Sequence, residues 1–238
     1  MLMPHSIEYS ILPKTGAQGP VNFKLYVDSE GMRTNNDFIP PDWALLKHHQ
    51  CAHCTLDANE FTYCPIAKNI SFLFKDTSVG NSFDEVELIV RTENRSYLSD
   101  TTLQRALGSL FGLVCSLSSC PHTMPLRPLG FFHLPLSTEV ETIFKTSAFF
   151  ILKKYMDYLE NKSVNIDLSE MTTTYQNLNL LNKYFINRLR NINSSDAIIN
   201  GMILLDLLVK DIDFATDNDL SQLKPLFVSS RSGNENNF

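Results

Sequence analysis

The sequence predicts an α+β fold, and three observations carry that reading. Apolar and polar residues alternate through much of the first hundred residues. Beyond residue 138 the apolar spacing becomes helical. All five cysteines lie between positions 51 and 120, inside the first half. The expected architecture is a small cysteine-rich sheet-and-helix half, residues 1–137, packed on a C-terminal helical half, residues 138–228. A polar Gly/Asn-rich tail, 229–238, is expected to be disordered. Residues 1–228 can equally close into one compact domain.

The first element is a hairpin. Ile7, Tyr9 and Ile11 alternate with polar residues, as do Val21, Phe23, Leu25 and Val27, around a Pro- and Gly-rich turn at 13–20. Residues 28–41 read as loop. After Cys64-Pro65 the apolar residues Ile66, Ile70, Leu73 and Phe74 suit a short helix, with Pro65 at its first position, where no N–H is needed. Val86, Leu88 and Val90 form a strand that pairs back with residues 95–99. Thr101 and Thr102 are candidate N-caps for a helix carrying Leu103, Ala106, Leu107, Leu110, Val114 and Leu117. Gly108 and Gly112 on that helix signal close packing. Four prolines between 121 and 137 mark an irregular connector. Helices follow at about 138–160, 169–192 and 196–211, with a short one near 218–225. Thr138 and Glu141 make a capping box. Met171, Tyr175, Leu178, Phe185, Leu189 and Ile192 share one apolar face. The helix from Ala197 is apolar almost all round and belongs at the centre.

Composition narrows the function. Hydrophobic residues make up 43% and charged residues 19%, enough to bury a core. The net charge of −6 and the lack of any Lys/Arg-rich stretch argue against nucleic acid and anionic membrane as partners. The start has neither the basic nor the apolar region of a signal peptide, and the apolar runs at 107–118 and 198–209 are too short to span a bilayer. A cytoplasmic protein is expected. There, cysteines serve as metal ligands or free thiols more naturally than as disulfides.

The cysteine layout is the most informative motif. Cys51-Ala-His-Cys54 presents two sulfurs from one tight loop, Cys64-Pro65 follows nearby, and Cys120-Pro121-His122 returns from far downstream. Four thiols in two groups fit a structural zinc, with His122 as an alternative ligand or as a donor beside the site. An iron–sulfur cluster is the alternative cofactor. A dithiol redox pair fits less well, because Cys51-x-x-Cys54 does not follow a buried strand or open a helix. Unliganded buried thiols are the plain alternative. Cys115, inside the helix, reads as a small buried hydrophobe.

Other candidates are weaker. His48, His49 and His133 read as surface loop histidines. Gln104, Arg105, Arg95 and Arg127 could form an anion pocket, although such residues are more often solvated or paired. Asp84, Glu85 and Glu87 lie in a strand with no matching base. No Gly-rich phosphate loop, G-x-S-x-G or H-E-x-x-H is present.

The string Trp43…His49-Gln-Cys51-x-x-Cys54…Cys64-Pro65, then Thr102-Leu-Gln-Arg105…Leu110-Phe-Gly-Leu113…Ser119-Cys120-Pro121-His122, then Arg127-Pro128 and Phe132-His-Leu-Pro135, resembles a family of uncharacterised bacterial proteins grouped as a domain of unknown function. The resemblance covers about residues 5–228. It implies no activity. It does imply that Cys51, Cys54, Cys64 and Cys120 belong together, and that Arg105 packs against the cysteine segment. The resulting expectation is a non-enzymatic interaction or regulatory module shaped by its metal, with a protein partner or a homodimer formed through the C-terminal helices. A cytosolic iron–sulfur or thiol redox protein is the alternative.

Overall fold

The computed structural model describes residues 3–15, 19–33, 38–74, 79–160, 162–165, 167–192, 195–218 and 220–227. Parts of the expected 13–20 turn and the whole 229–238 tail lie outside them. Five strands form one antiparallel sheet in the order β3-β2-β1-β4-β5. They are β1 (His5–Pro13), β2 (Val21–Asp28), β3 (Gly31–Arg33), β4 (Glu85–Arg91) and β5 (Ser96–Thr102). The register sets Tyr9 between Phe23 and Val90, and Ile11 between Val21 and Leu88. Ile7, Tyr9, Ile11, Phe23, Leu25, Val27, Val86, Leu88 and Val90 are all buried, so one face of the sheet is apolar throughout. A slip of one residue would turn that whole face to water, so the alternation specifies the pairing.

Six α-helices are described: α1 (Pro65–Phe74), α2 (Leu103–Ser116), α3 (Arg127–Phe131), α4 (Glu139–Leu159), α5 (Ser169–Arg190) and α6 (Asp196–Asp217). Pro65 opens α1 as expected. Helix α2 packs on the sheet with one side and on α6 with the other. The α2–α6 crossing is close because of two glycines. A Cβ on Gly201 would stand 3.0 Å from Leu107 Cβ, and one on Gly108 would stand 3.1 Å from the Gly201 carbonyl oxygen. Thr138 and Glu141 form the expected capping box of α4.

One core runs from Ile7 in β1 through Leu107, Leu110 and Phe111 in α2 to Phe185 in α5 and Met202 in α6, so it crosses both halves of the chain. A second cluster joins α4, α5 and α6 through Ile143, Phe150, Met171, Tyr175, Val209 and Ile212. Among the described residues no helix is long and apolar enough to cross a membrane.

The structure departs from the sequence reading in four places. The expected loop at 28–41 contains β3. Its Gly31 adopts φ +123°, where a Cβ would lie 2.3 Å from the Leu117 carbonyl oxygen, and the Met32 N–H donates to that oxygen at 3.0 Å. Thr102 takes the N-cap position of α2 without a side-chain bond. The first N–H groups of α2, at Leu103 and Gln104, instead donate to the Asp84 and Ser82 carbonyls at 2.9 and 3.0 Å. The connector at 121–137 holds a 3₁₀ turn (Met124–Leu126) and α3, whose prolines lie in first turns, where they cost nothing. Finally, α6 continues past 211 to Asp217, because Ile212 and Ala215 extend its buried face.

Candidate functional site

The two cysteine groups come from four local structures. A short antiparallel bridge pairs Leu45 with Tyr63, and the Cys64 N–H donates to the Ala44 carbonyl at 2.9 Å. Between them the chain turns at Cys51–Cys54, closed by the Cys54 N–H on the Cys51 carbonyl at 3.0 Å. Cys64 sits at the start of α1, and the N–H groups of Ile66 and Ala67 donate to its sulfur. Cys120 follows the end of α2 in a similar turn, and the N–H groups of His122 and Thr123 donate to its sulfur. In each turn the intervening proline offers no N–H, so the next two amides converge on the sulfur. Such donors favour a thiolate over a thiol.

All four thiols lie within electrostatic range of one another. Cys51 senses Cys64, Cys120 and Cys54, while Cys64 and Cys120 each sense Cys54, and Cys120 senses Cys64. Burial first, and the neighbouring thiols second, push Cys51 up to about 12. Burial also raises Cys64, against the pull of Arg188 and the two amides. Cys120 is pushed up to about 11, again chiefly by burial. Without metal, Cys51, Cys64 and Cys120 are therefore protonated at neutral pH. As they stand, no three Cys, His, Asp or Glu side chains among the described residues are arranged to hold a metal ion. All five cysteines are free. Cys115 is buried in α2 as expected, but it is not remote, because it lies within range of Cys120 and Cys64.

The decisive residue at this site is one the sequence reading missed. Arg188, near the end of α5, is 2% exposed. Its guanidinium donates to the carbonyls of Trp43 (2.7 Å), Leu45 (2.9 Å), Leu46 (3.4 Å) and His49 (3.3 Å), the segment that leads into Cys51. No carboxylate pairs with it among the described residues. The groups of opposite potential charge around it are Cys64, Cys51 and Cys54. A buried cation without a carboxylate is costly unless another anion is near.

The histidines add a clamp. His122 Nε2 bonds to the His53 carbonyl at 2.9 Å, and the two rings pack 4.2 Å apart. His53 Nε2 in turn bonds to the Asn177 carbonyl of α5 at 3.1 Å. His122 thus ties the Cys120 turn to the Cys51–Cys54 turn. Arg105 is placed elsewhere: it is exposed on α2 and lines a cavity, and the arginine against the cysteine segment is Arg188. Nor is His133 a surface loop histidine, because its Nε2 bonds to the Tyr9 hydroxyl in the core.

The model of one family, a domain of unknown function (DUF6901), matches residues 7–228. The chain belongs to this family. No curated protein and no solved structure matches it. The DUF6901 match spans the sheet, the cysteine turns and every described helix, so the cysteine segment and α5 fall within one family unit.

Proposed function

We propose that this DUF6901 chain is a non-enzymatic interaction module whose N-terminal half is stapled by a zinc ion on Cys51, Cys54, Cys64 and Cys120. The observation that carries the reading is Arg188, a buried cation set beside Cys64, Cys51 and Cys54 with no carboxylate partner among the described residues. Four thiolates on Zn²⁺ leave a net charge of about −2, which a neighbouring guanidinium offsets. The amides directed at Cys64 and Cys120 suit thiolates for the same reason. Ligation would require the thiols to rotate onto the ion and lose their protons, so binding would be coupled to the folding of this segment.

The interaction role is supported by α4. Beyond Phe150 its side chains turn outward, and Leu152, Tyr155, Met156, Tyr158 and Leu159 are all exposed. Apolar surface of that density on a helix marks a docking face. A second copy of the chain is the occupant proposed.

Elemental analysis of protein purified without oxygen, with a visible spectrum, tests the staple. The expected result is one zinc per chain and no colour, with metal lost in Cys51→Ser and in Cys120→Ser and kept in Cys115→Ser. Full metal in both ligand variants, or none in the wild type, would overturn the site. Iron with sulfide and a visible band would replace zinc with a cluster on the same cysteines.

A further inference from the structure

A cavity of about 310 Å³ lies between α2, α4, α6 and the connector that carries α3. It shares no residue with the cysteine site. Its wall is mainly apolar, with Leu204, Leu208 and Ile212 from α6 facing Leu134 of the connector. Two cations enter it, Arg105 from α2 and Lys145 from α4, and no Asp or Glu lines it among the described residues. Neither cation forms an ion pair among those residues. Lys145 Nζ donates to the Phe132 carbonyl at 3.1 Å, and the carboxylate it senses, Glu141, is engaged by Thr138 in the α4 capping box.

One residue shows that this space is not a packing accident. Gly112 lies inside α2, where glycine costs a helix about 1 kcal/mol relative to alanine. Gly108 has a packing reason, but Gly112 does not. A Cβ there would meet only Leu205 Cδ1, at an ordinary 3.6 Å. What Gly112 does is leave the cavity open on the α2 side.

We infer that this cavity binds a small carboxylic acid with an apolar body, its carboxylate at Arg105 and Lys145 and its body along the leucines of α6. The volume lies at the lower end of the range of small-molecule sites, and a few polar groups in an apolar wall are the usual composition of such sites. A bare phosphate would leave the leucine wall unused. An uncharged lipid would leave two cations unmatched.

The test is calorimetric titration of the full chain with decanoate, with 1-decanol of equal chain length, and with naphthoate. Decanoate or naphthoate is expected to bind at least about tenfold more tightly than decanol. The stronger of the two acids shows whether the body is alkyl or aryl. Lys145→Met with Arg105→Met should weaken the acid about tenfold and leave decanol unchanged. Gly112→Leu should abolish binding with helix content retained. If that variant fails to fold, the charge variants decide alone. Equal affinity for acid and alcohol, unchanged acid affinity in the charge variants, or no binding by either acid would overturn the inference.

Discussion

Arg188 holds four backbone carbonyls with one guanidinium, and no other side chain among the described residues joins α5 to the cysteine segment with as many bonds. Arg188→Met keeps the length of the side chain and removes its donors. It is expected to cost about 3–5 kcal/mol in urea unfolding, since buried acceptors are left without partners. Arg188→Lys should recover less than half of that loss, because an ammonium cannot span the same fork. A Met variant as stable as the wild type would remove the guanidinium from the account. His133 gives a pH prediction. Burial first and Lys145 second hold it down to about 3, against an ordinary value of 6.5. The unfolded chain therefore takes up the proton first. This residue's stabilisation is complete above pH 6.5 and is lost as the pH falls toward 3. His133→Gln should reduce the acid loss of stability over that window by on the order of 2 kcal/mol. Parallel stability–pH curves for the two proteins would show that the residue does not titrate as described.

At the level of elements, the α2–α6 crossing sets Gly201 apart from Gly112. Gly201→Ala must displace Leu107 or Phe111, which lie 3.0 and 3.1 Å from the added methyl. A loss of about 1–3 kcal/mol is expected. Gly112→Ala meets no such obstacle and should raise stability by about 0.5–1 kcal/mol through helix propensity. Thermal melts of both variants check the pair, and the same sign in both would contradict the geometry of the crossing. Most elements are legible in the sequence, because period two and period 3.6 are local signals. Strand β3 is not legible. Three residues carry no period, and what holds them is the pairing with β2 and a bond to the Leu117 carbonyl. Thr102 holds the N-cap position of α2 that the sequence marks, but the acceptors for the first amides are backbone carbonyls at 82 and 84, which no side-chain motif announces.

For the whole molecule, the exposed apolar end of α4 and the core that crosses both halves bear on assembly. Leu152→Glu with Tyr155→Glu places two charges on the proposed contact, where both residues are exposed in one chain. Sedimentation of the wild type is expected to show a concentration-dependent dimer, and the variant is expected to stay monomeric with its fold unchanged. A wild type that remains monomeric at high concentration would remove the second copy as the occupant.

The sequence by itself determined the α+β class, the sheet alternation and nearly every helix, and it named Cys51, Cys54, Cys64 and Cys120 as one candidate set. Each of these is written in spacing along the chain, through the pleat, the helical turn or the reach of a tight loop. The tertiary structure alone decided which arginine stands beside the thiols, that His133 bonds to the Tyr9 hydroxyl, and that Arg105 and Lys145 share a cavity. Arg188 meets its carbonyls across 139 to 145 residues. At that separation only the packing of α5 against the cysteine segment brings a charge to its partners, and no local pattern records it.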